Sequence, residues 1–271
     1  MLLRNRPGPE IVEPSVVAGA VEQGEPDGGS RQFLGYDLAS QFQPILARRE
    51  DGLETVAYKA LLRISRGGFD VGPAGFFDTL SANEKAAADV EATGLHLHNF
   101  MRTARTGDAL VLRLEPASIR SSLFSESEFR ARLTQMEQVG LHPRRIIVEL
   151  DMAATFDAGE LRTFATMLRR CGVRLSLAGF DADRASFGQI AENQPDMVGF
   201  DRSWLELGLS DPIFRAATER VVAAMRGLGP STLFSRIEDG AELDFALSCG
   251  FTHLQGWQLG HPAENCRPVS C

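Results

Sequence analysis

The sequence predicts an α/β fold, a modified TIM-type (β/α)8 barrel with one antiparallel strand. Eight short β-rich runs alternate with longer stretches of helical period. They fall within ~230 residues, a size that α/β barrels commonly occupy as one domain. The first two runs lie too close together for a crossover helix, so they are expected to pair as an antiparallel hairpin in an otherwise parallel ring.

The elements follow in chain order. Residues 1–33 are expected to be a flexible tail, because the first 30 hold four Pro, five Gly and no aromatic residue, with two Arg against five acids. Such a stretch buries too little apolar surface to offset the entropy of ordering it. The barrel is expected over 34–262. QFQPILA (41–47) and TVAYKALLRI (55–64) form the hairpin, and NEKAAADVEATGLHLHNFMRTA predicts a helix over 84–104 with Asn83 as its cap. Strands follow at 109–114, 145–150, 173–178, 197–201, 231–237 and 252–256, and amphipathic helices at 126–139, 159–171, 211–227 and 240–248. The end, AENCRPVSC after Pro262, lacks periodicity and is expected to be an extended tail, 263–271.

Side-chain parity adds a prediction, because successive residues of a strand point to opposite faces. Val56, Tyr58, Ala60, Leu62 and Ile64 alternate with Lys59, Leu61 and Arg63. Leu110, Leu112 and Leu114 alternate with Val111 and Arg113, and Ile146, Val148 and Leu150 with Ile147 and Glu149. Leu233, Ser235 and Ile237 share a parity opposite Arg236. The helix-covered side should be apolar, so Lys59, Arg63, Arg113 and Glu149 are expected to converge in the lumen near the strand ends. The alternative is a strand misphased by one residue, which would put those charges outside.

Composition narrows the function classes. With 36 acidic against 28 basic residues the net charge is −8, and the chain lacks the excess cations that would release counterions from a nucleic acid. No direct nucleic-acid contact is expected. No run approaches the ~18 apolar residues of a spanning helix, and the amino terminus turns to Pro and Gly before a secretory core develops, so no membrane insertion and a cytoplasmic address are expected. Cys171, Cys249, Cys266 and Cys271 show no metal-binding or disulfide spacing, and His96 and His98 do not share a helix face. No cofactor is expected. The pairs Arg144/Arg145 and Arg169/Arg170 read as solvated surface, and Glu149 with Glu238 could form an acid/base pair of an unrelated hydrolase.

Eight segments in register resemble the EAL domain, a bacterial family that hydrolyses the second messenger cyclic di-GMP. FQPI (42–45) resembles that family's FQPI opening, KALLR (59–63) its EALLR, LRLEP (112–116) its VNLSP, and VELD (148–151) its LEITE. AGFDADRASF (178–187) stands for DDFGTGYSSL, GFDRSWL (199–205) for KIDRSFV, SRIED (235–239) for EGVET and QGWQLGHP (255–262) for QGYxxGxP. The resemblance implies two divalent cations in active members, held by acids and an asparagine of these motifs, with the KID lysine helping to activate water.

Here Lys59, Arg113, Ala178, Gly179 and Ser235 replace family ligands and Gly199 replaces the lysine, while Glu149, Asp201 and Glu238 keep acids. Magnesium-type ions need several oxygen ligands and are repelled by a cation at short range. No bound metal is expected. A salt-bridge network of Lys59, Arg63 and Arg113 with Glu149, Asp201 and Glu238 should fill the former metal site. Alternatively Lys59 and Arg113 snorkel to solvent.

By the same resemblance Gln43, Leu61 and Arg63 match positions that contact the nucleotide. The rewritten loop flanked by Phe180 and Phe187, with Asp181, Asp183 and Arg184 between them, is the candidate contact for a protein partner, unless it has drifted without a task. The expected function is therefore a catalytically inactive EAL-like signalling domain that works through a regulatory protein or a second copy of itself, in control of motility, biofilm or development. The alternatives are a cyclic di-GMP receptor that does not cleave its ligand, and residual hydrolysis.

Overall fold

The computed structural model describes residues 29–120, 125–152, 157–181 and 184–270. In chain order they form β1 (Ser30–Phe33), β2 (Tyr36–Arg49), β3 (Gly52–Arg66), β4 (Phe69–Val71), α1 (Pro73–Asp78), α2 (Ala82–Thr103), β5 (Ala109–Arg113), α3 (Pro116–Arg120), α4 (Glu126–Gln138), a 3-10 turn (Pro143–Arg145), β6 (Ile146–Asp151) and α5 (Ala158–Arg170). There follow β7 (Arg174–Phe180), α6 (Arg184–Asn193), β8 (Met197–Phe200), α7 (Ser203–Ser210), α8 (Pro212–Leu228), β9 (Ser231–Phe234), α9 (Gly240–Ser248) and β10 (His253–Leu254). Among the described residues no helix is long and apolar enough to cross a membrane.

The ring runs β2-β10-β9-β8-β7-β6-β5-β3 and is closed by the β2–β3 pair. β2 is antiparallel to both neighbours, and the other junctions are parallel. This is the expected barrel with its one reversed strand. β1 and β4 extend the hairpin beyond the ring. β1 lies inside the stretch expected as tail, and the rest of that stretch, residues 1–28, lies outside the described residues.

Local chemistry sets the helix ends. α2 is capped by Ser81, whose side chain accepts the Glu84 amide while Glu84 returns the bond to the Ser81 amide. The expected cap, Asn83, lies inside the helix, because the capping box satisfies two orphan amides where one asparagine would satisfy one. α5 starts on the same device, built from Asp157 and Glu160. The helical stretch expected from 211 is preceded by a separate short helix, α7, and α8 starts after Asp211, which accepts the Ile213 amide.

The core divides as parity requires. Ile45, Ala57, Ala109, Val111, Ile147, Met197 and Leu233, from six strands, meet inside the ring. Tyr58, Leu110, Leu112, Val148, Leu175 and Leu177 face outward under α2, α4 and α5. Val198, Phe200, Phe234 and Leu254 face outward under α7, α8 and α9. Two residues depart from the expected phase. Val56 packs against the inner cluster, since Ile45 pairs with Ala57 but Leu46 with Thr55, leaving Val56 as a bulge. Leu233 is luminal and Ile237 is not: β9 ends at Phe234, and Arg236 takes φ 64°, which breaks the alternation.

The segment after Pro262 does not hang free. Phe42 and Ala263 exchange backbone hydrogen bonds of 2.7 and 3.1 Å, the Thr55 amide donates to Val269 O at 3.1 Å, and Cys266 is buried against Phe42, Tyr58 and Phe100. The strip is extended, as expected, but docked.

Candidate functional site at the barrel mouth

The parallel strands end at one mouth of the ring, where the inward parity changes from apolar to polar. On β3 the inward side chain beyond Ala57 is Lys59; on β6 it is Glu149 beyond Ile147. Lys59 Nζ donates to Glu149 Oε1 at 2.6 Å. The carboxylate side chain is 2% exposed and the lysine 18%. A carboxylate at that depth is costly without a partner, and a charge-assisted bond of this length supplies one.

The rest of the expected network is dispersed. Arg113 reaches up from β5 to Asp151 at 3.0 Å, both partly exposed. Arg63 does not converge on the mouth: β3 continues past the ring to pair with β4, and there Arg63 binds Asp70 in solvent. Asp201 is exposed and accepts the Ser203 amide at 2.9 Å at the start of α7, and this hydrogen bond holds its carboxyl below the usual carboxylate range. Glu238 is exposed on the loop before α9, 3.8 Å from Arg202, which also bonds Glu242 at 3.1 Å. One buried pair and several surface pairs thus replace the single cluster that the sequence suggested, because Asp201 and Glu238 stand on loops after their strands have ended.

At the remaining positions the backbone decides. Ala178 and Gly199 are register partners on β7 and β8. Gly179 takes φ +83° in a bulge of β7, and a Cβ there would lie 3.2 Å from Asp151 Oδ1. An aspartate at 179 would be strained in this backbone and pressed against another carboxylate. Ser235 is half-buried just after β9. Among the described residues no three His, Cys, Asp or Glu side chains stand close enough to hold an ion together. The oxygens present do not fit a pair of divalent cations, since Glu149 is already bonded to an ammonium and Asp151 to a guanidinium.

Of the residues expected to touch a nucleotide, Gln43 is at the mouth with both ends of its amide engaged. It donates to Gly260 O at 3.1 Å and accepts from Gln255 Nε2 at 3.0 Å. Leu61 is half-buried one inward position beyond Lys59 on β3. Arg63 is elsewhere, as described.

The loop expected to dock a partner is corrected in part. Phe180 is fully buried, stacked on Trp204 and packed on Phe200, because the Gly179 bulge turns it outward under α7. Phe187 is 37% exposed, edge-on to Phe180 in the first turn of α6. Asp181 accepts the Ser186 hydroxyl at 2.8 Å. Asp183 and the Arg184 side chain lie outside the described residues. Sequence reasoning missed Asp151, Arg202 and Gln255. Asp151 stands in VELD and Gln255 in QGW, but nothing in spacing shows that one closes on Arg113 and the other on Gln43.

Comparison with known proteins places this geometry. The chain matches the EAL domain family over residues 30–262. The curated relative YkuI of Bacillus subtilis (strain 168), named an uncharacterized EAL-domain containing protein, is 22% identical over 233 residues, which cover 84% of this chain and 56% of YkuI. The chain thus spans little more than half of that relative. The solved structure of YkuI with cyclic di-GMP and calcium has a TM-score of 0.73 at 19% identity, covering 85% of this chain and 57% of that one. The EAL domain of FimX from Xanthomonas citri, in complex with cyclic di-GMP, has a TM-score of 0.73 at 18% identity, covering 85% and 90%. Those likenesses are of fold.

Proposed function

The chain belongs to the EAL domain family, and from that premise we propose that it is a signalling domain that does not hydrolyse cyclic di-GMP and acts by contact with a regulatory protein. The observation that carries the first half is the bond between Lys59 Nζ and Glu149 at 2.6 Å. A divalent ion at Glu149 would have to displace this ammonium and then find its other oxygens among acids that are bound elsewhere. The second half is supported by Leu207, Leu209 and Ile213, which are 48, 49 and 80% exposed where α7 passes into α8. Leu207 and Leu209 stand two apart on α7 and so on different faces, and apolar side chains left in solvent there and at Ile213 are open to a protein contact. Control of motility, biofilm or development is the setting in which such a domain would serve.

A second reading, a cyclic di-GMP receptor, is favoured by Gln43, which is held at the mouth by Gln255 and Gly260, and by the ligand present in the YkuI and FimX structures. One set of measurements separates the readings. Purified protein with magnesium or manganese is expected to release no more product from cyclic di-GMP than a blank. Turnover that Glu149→Ala abolishes would overturn the proposal. Calorimetric titration with cyclic di-GMP, with and without magnesium, then tests the receptor reading: saturable binding without turnover supports it. A chelator is expected to leave the melting temperature unchanged.

A further inference from the structure

At the opposite end of the barrel, where strands enter the sheet, stand the two arginine pairs that read as solvated surface in the sequence. One member of each pair is structural. Arg145 donates to Asp108 O at 2.8 Å and to Arg105 O at 3.0 Å, and Arg169 donates to Asn193 O at 2.9 Å. The other members, Arg144 and Arg170, are exposed, and among the described residues their guanidiniums have no hydrogen-bond or ion-pair partner. Both line a cleft of about 380 Å³ between α4, the 3-10 turn and the end of α5.

The helix ends beside them do not use these two cations. The last carbonyls of α4 and α5 are taken by backbone amides, Leu141 N to Met136 O at 2.9 Å and Val173 N to Leu168 O at 3.0 Å. Arg130, also on the cleft wall, is neutralised by Glu126 at 2.9 Å, so Glu137 is the one acid of the lining set against Arg144 and Arg170. His142 adds a donor. Its Nδ1 accepts the Arg144 amide at 3.1 Å, which leaves the ring hydrogen on Nε2.

We propose that this cleft binds a small organic phosphomonoester. Two forked guanidiniums and a ring N–H suit the several oxygens and double charge of a phosphate better than a single carboxylate. Glu137, exposed on the cleft wall, can accept from a hydroxyl or amino group on the organic body. The volume falls in the usual range for small-ligand sites and exceeds what inorganic phosphate fills. The site is independent of the barrel mouth and of any ligand there.

The test is calorimetric titration of the full chain with adenosine 5′-monophosphate, adenosine and inorganic phosphate. One-to-one binding of the nucleotide is expected, at least about tenfold tighter than either of its parts, and Arg144→Gln and Arg170→Gln should each weaken it about tenfold, the scale of one charge-assisted contact. Arg162→Gln, an exposed change on α5 outside the cleft, should leave it unchanged. No saturable binding of the nucleotide up to about 10 mM, tenfold above a Kd of about 1 mM, overturns the proposal. So does equal binding by wild type and the Arg144→Gln, Arg170→Gln double variant, or binding of inorganic phosphate as tight as that of the nucleotide.

Discussion

A carboxylate as buried as Glu149 depends on Lys59, the one cation among the described residues that pairs with it. Lys59→Met should therefore cost about 3 kcal/mol, because it strands the acid rather than removing the pair; equal urea midpoints for variant and wild type would refute this. Arg113→Met is expected to cost less than about 1 kcal/mol, since Arg113 and Asp151 are partly in solvent. Two histidines and an aspartate set the acid limit of stability. Burial lowers His96 and His253 to about 4, the latter with help from Arg174 and Arg49, and burial raises Asp89 to about 6 against hydrogen bonds from Ser118 and the Glu115 amide. As pH falls from 6 to 4 the unfolded chain takes up a proton at each histidine that the fold refuses, which destabilises the fold. Over the same span the fold takes up a proton at Asp89 that the unfolded chain refuses, which offsets one of the two. The net expectation is a loss of about 1.4 kcal/mol per pH unit, roughly doubled in Asp89→Asn. Urea unfolding at pH 6 and pH 5 reads both, and stability that rises toward pH 5 contradicts the assignment.

Among the elements, α7 is one that sequence period did not show, and its packing rests on a single missing side chain. A Cβ at Gly208 would lie 2.3 Å from the Phe245 ring of α9, which is fully buried and has no room to retreat. Gly208→Ala should destabilise by about 2 kcal/mol, since overpacking outweighs the ~1 kcal/mol that alanine adds to a helix. A stabilised variant in chemical denaturation would show that α7 and α9 do not pack this closely. The strands were legible because each carries a period of two, and the helices because their apolar faces repeat at 3.6. β1, β4, α1, α3, α6 and α7 were not: the first four are three to six residues long and too short to show a period, and α6 and α7, of ten and eight residues, overlap stretches legible only as motifs.

For the molecule as a whole, the consequential contact is the return of the chain end over the hairpin. The expected hairpin has no crossover helix between its strands, so part of its outer face is covered by residues 263–270, which also occupy backbone groups of Phe42 and Thr55 that no ring neighbour takes. Truncation after Pro262 should lower the melting temperature by roughly 3 °C or more, the shift that about 1 kcal/mol produces in a domain of about 200 residues; an unchanged melting curve would mean the strip is ornamental to stability. The sequence by itself determined the ring, its one reversed strand, the inward parity of Lys59, Arg113 and Glu149, and the family, because local period and motif order are written along the chain. Tertiary structure alone decided which charges meet. Lys59 finds Glu149 across β5, while Arg63 is carried off by a strand that overruns the barrel, Phe180 is turned outward and buried under α7 by a one-residue bulge, and Asp201 and Glu238 remain on loops. Each depends on where a strand ends or slips by one residue in three dimensions, and a one-residue slip reverses every side chain beyond it.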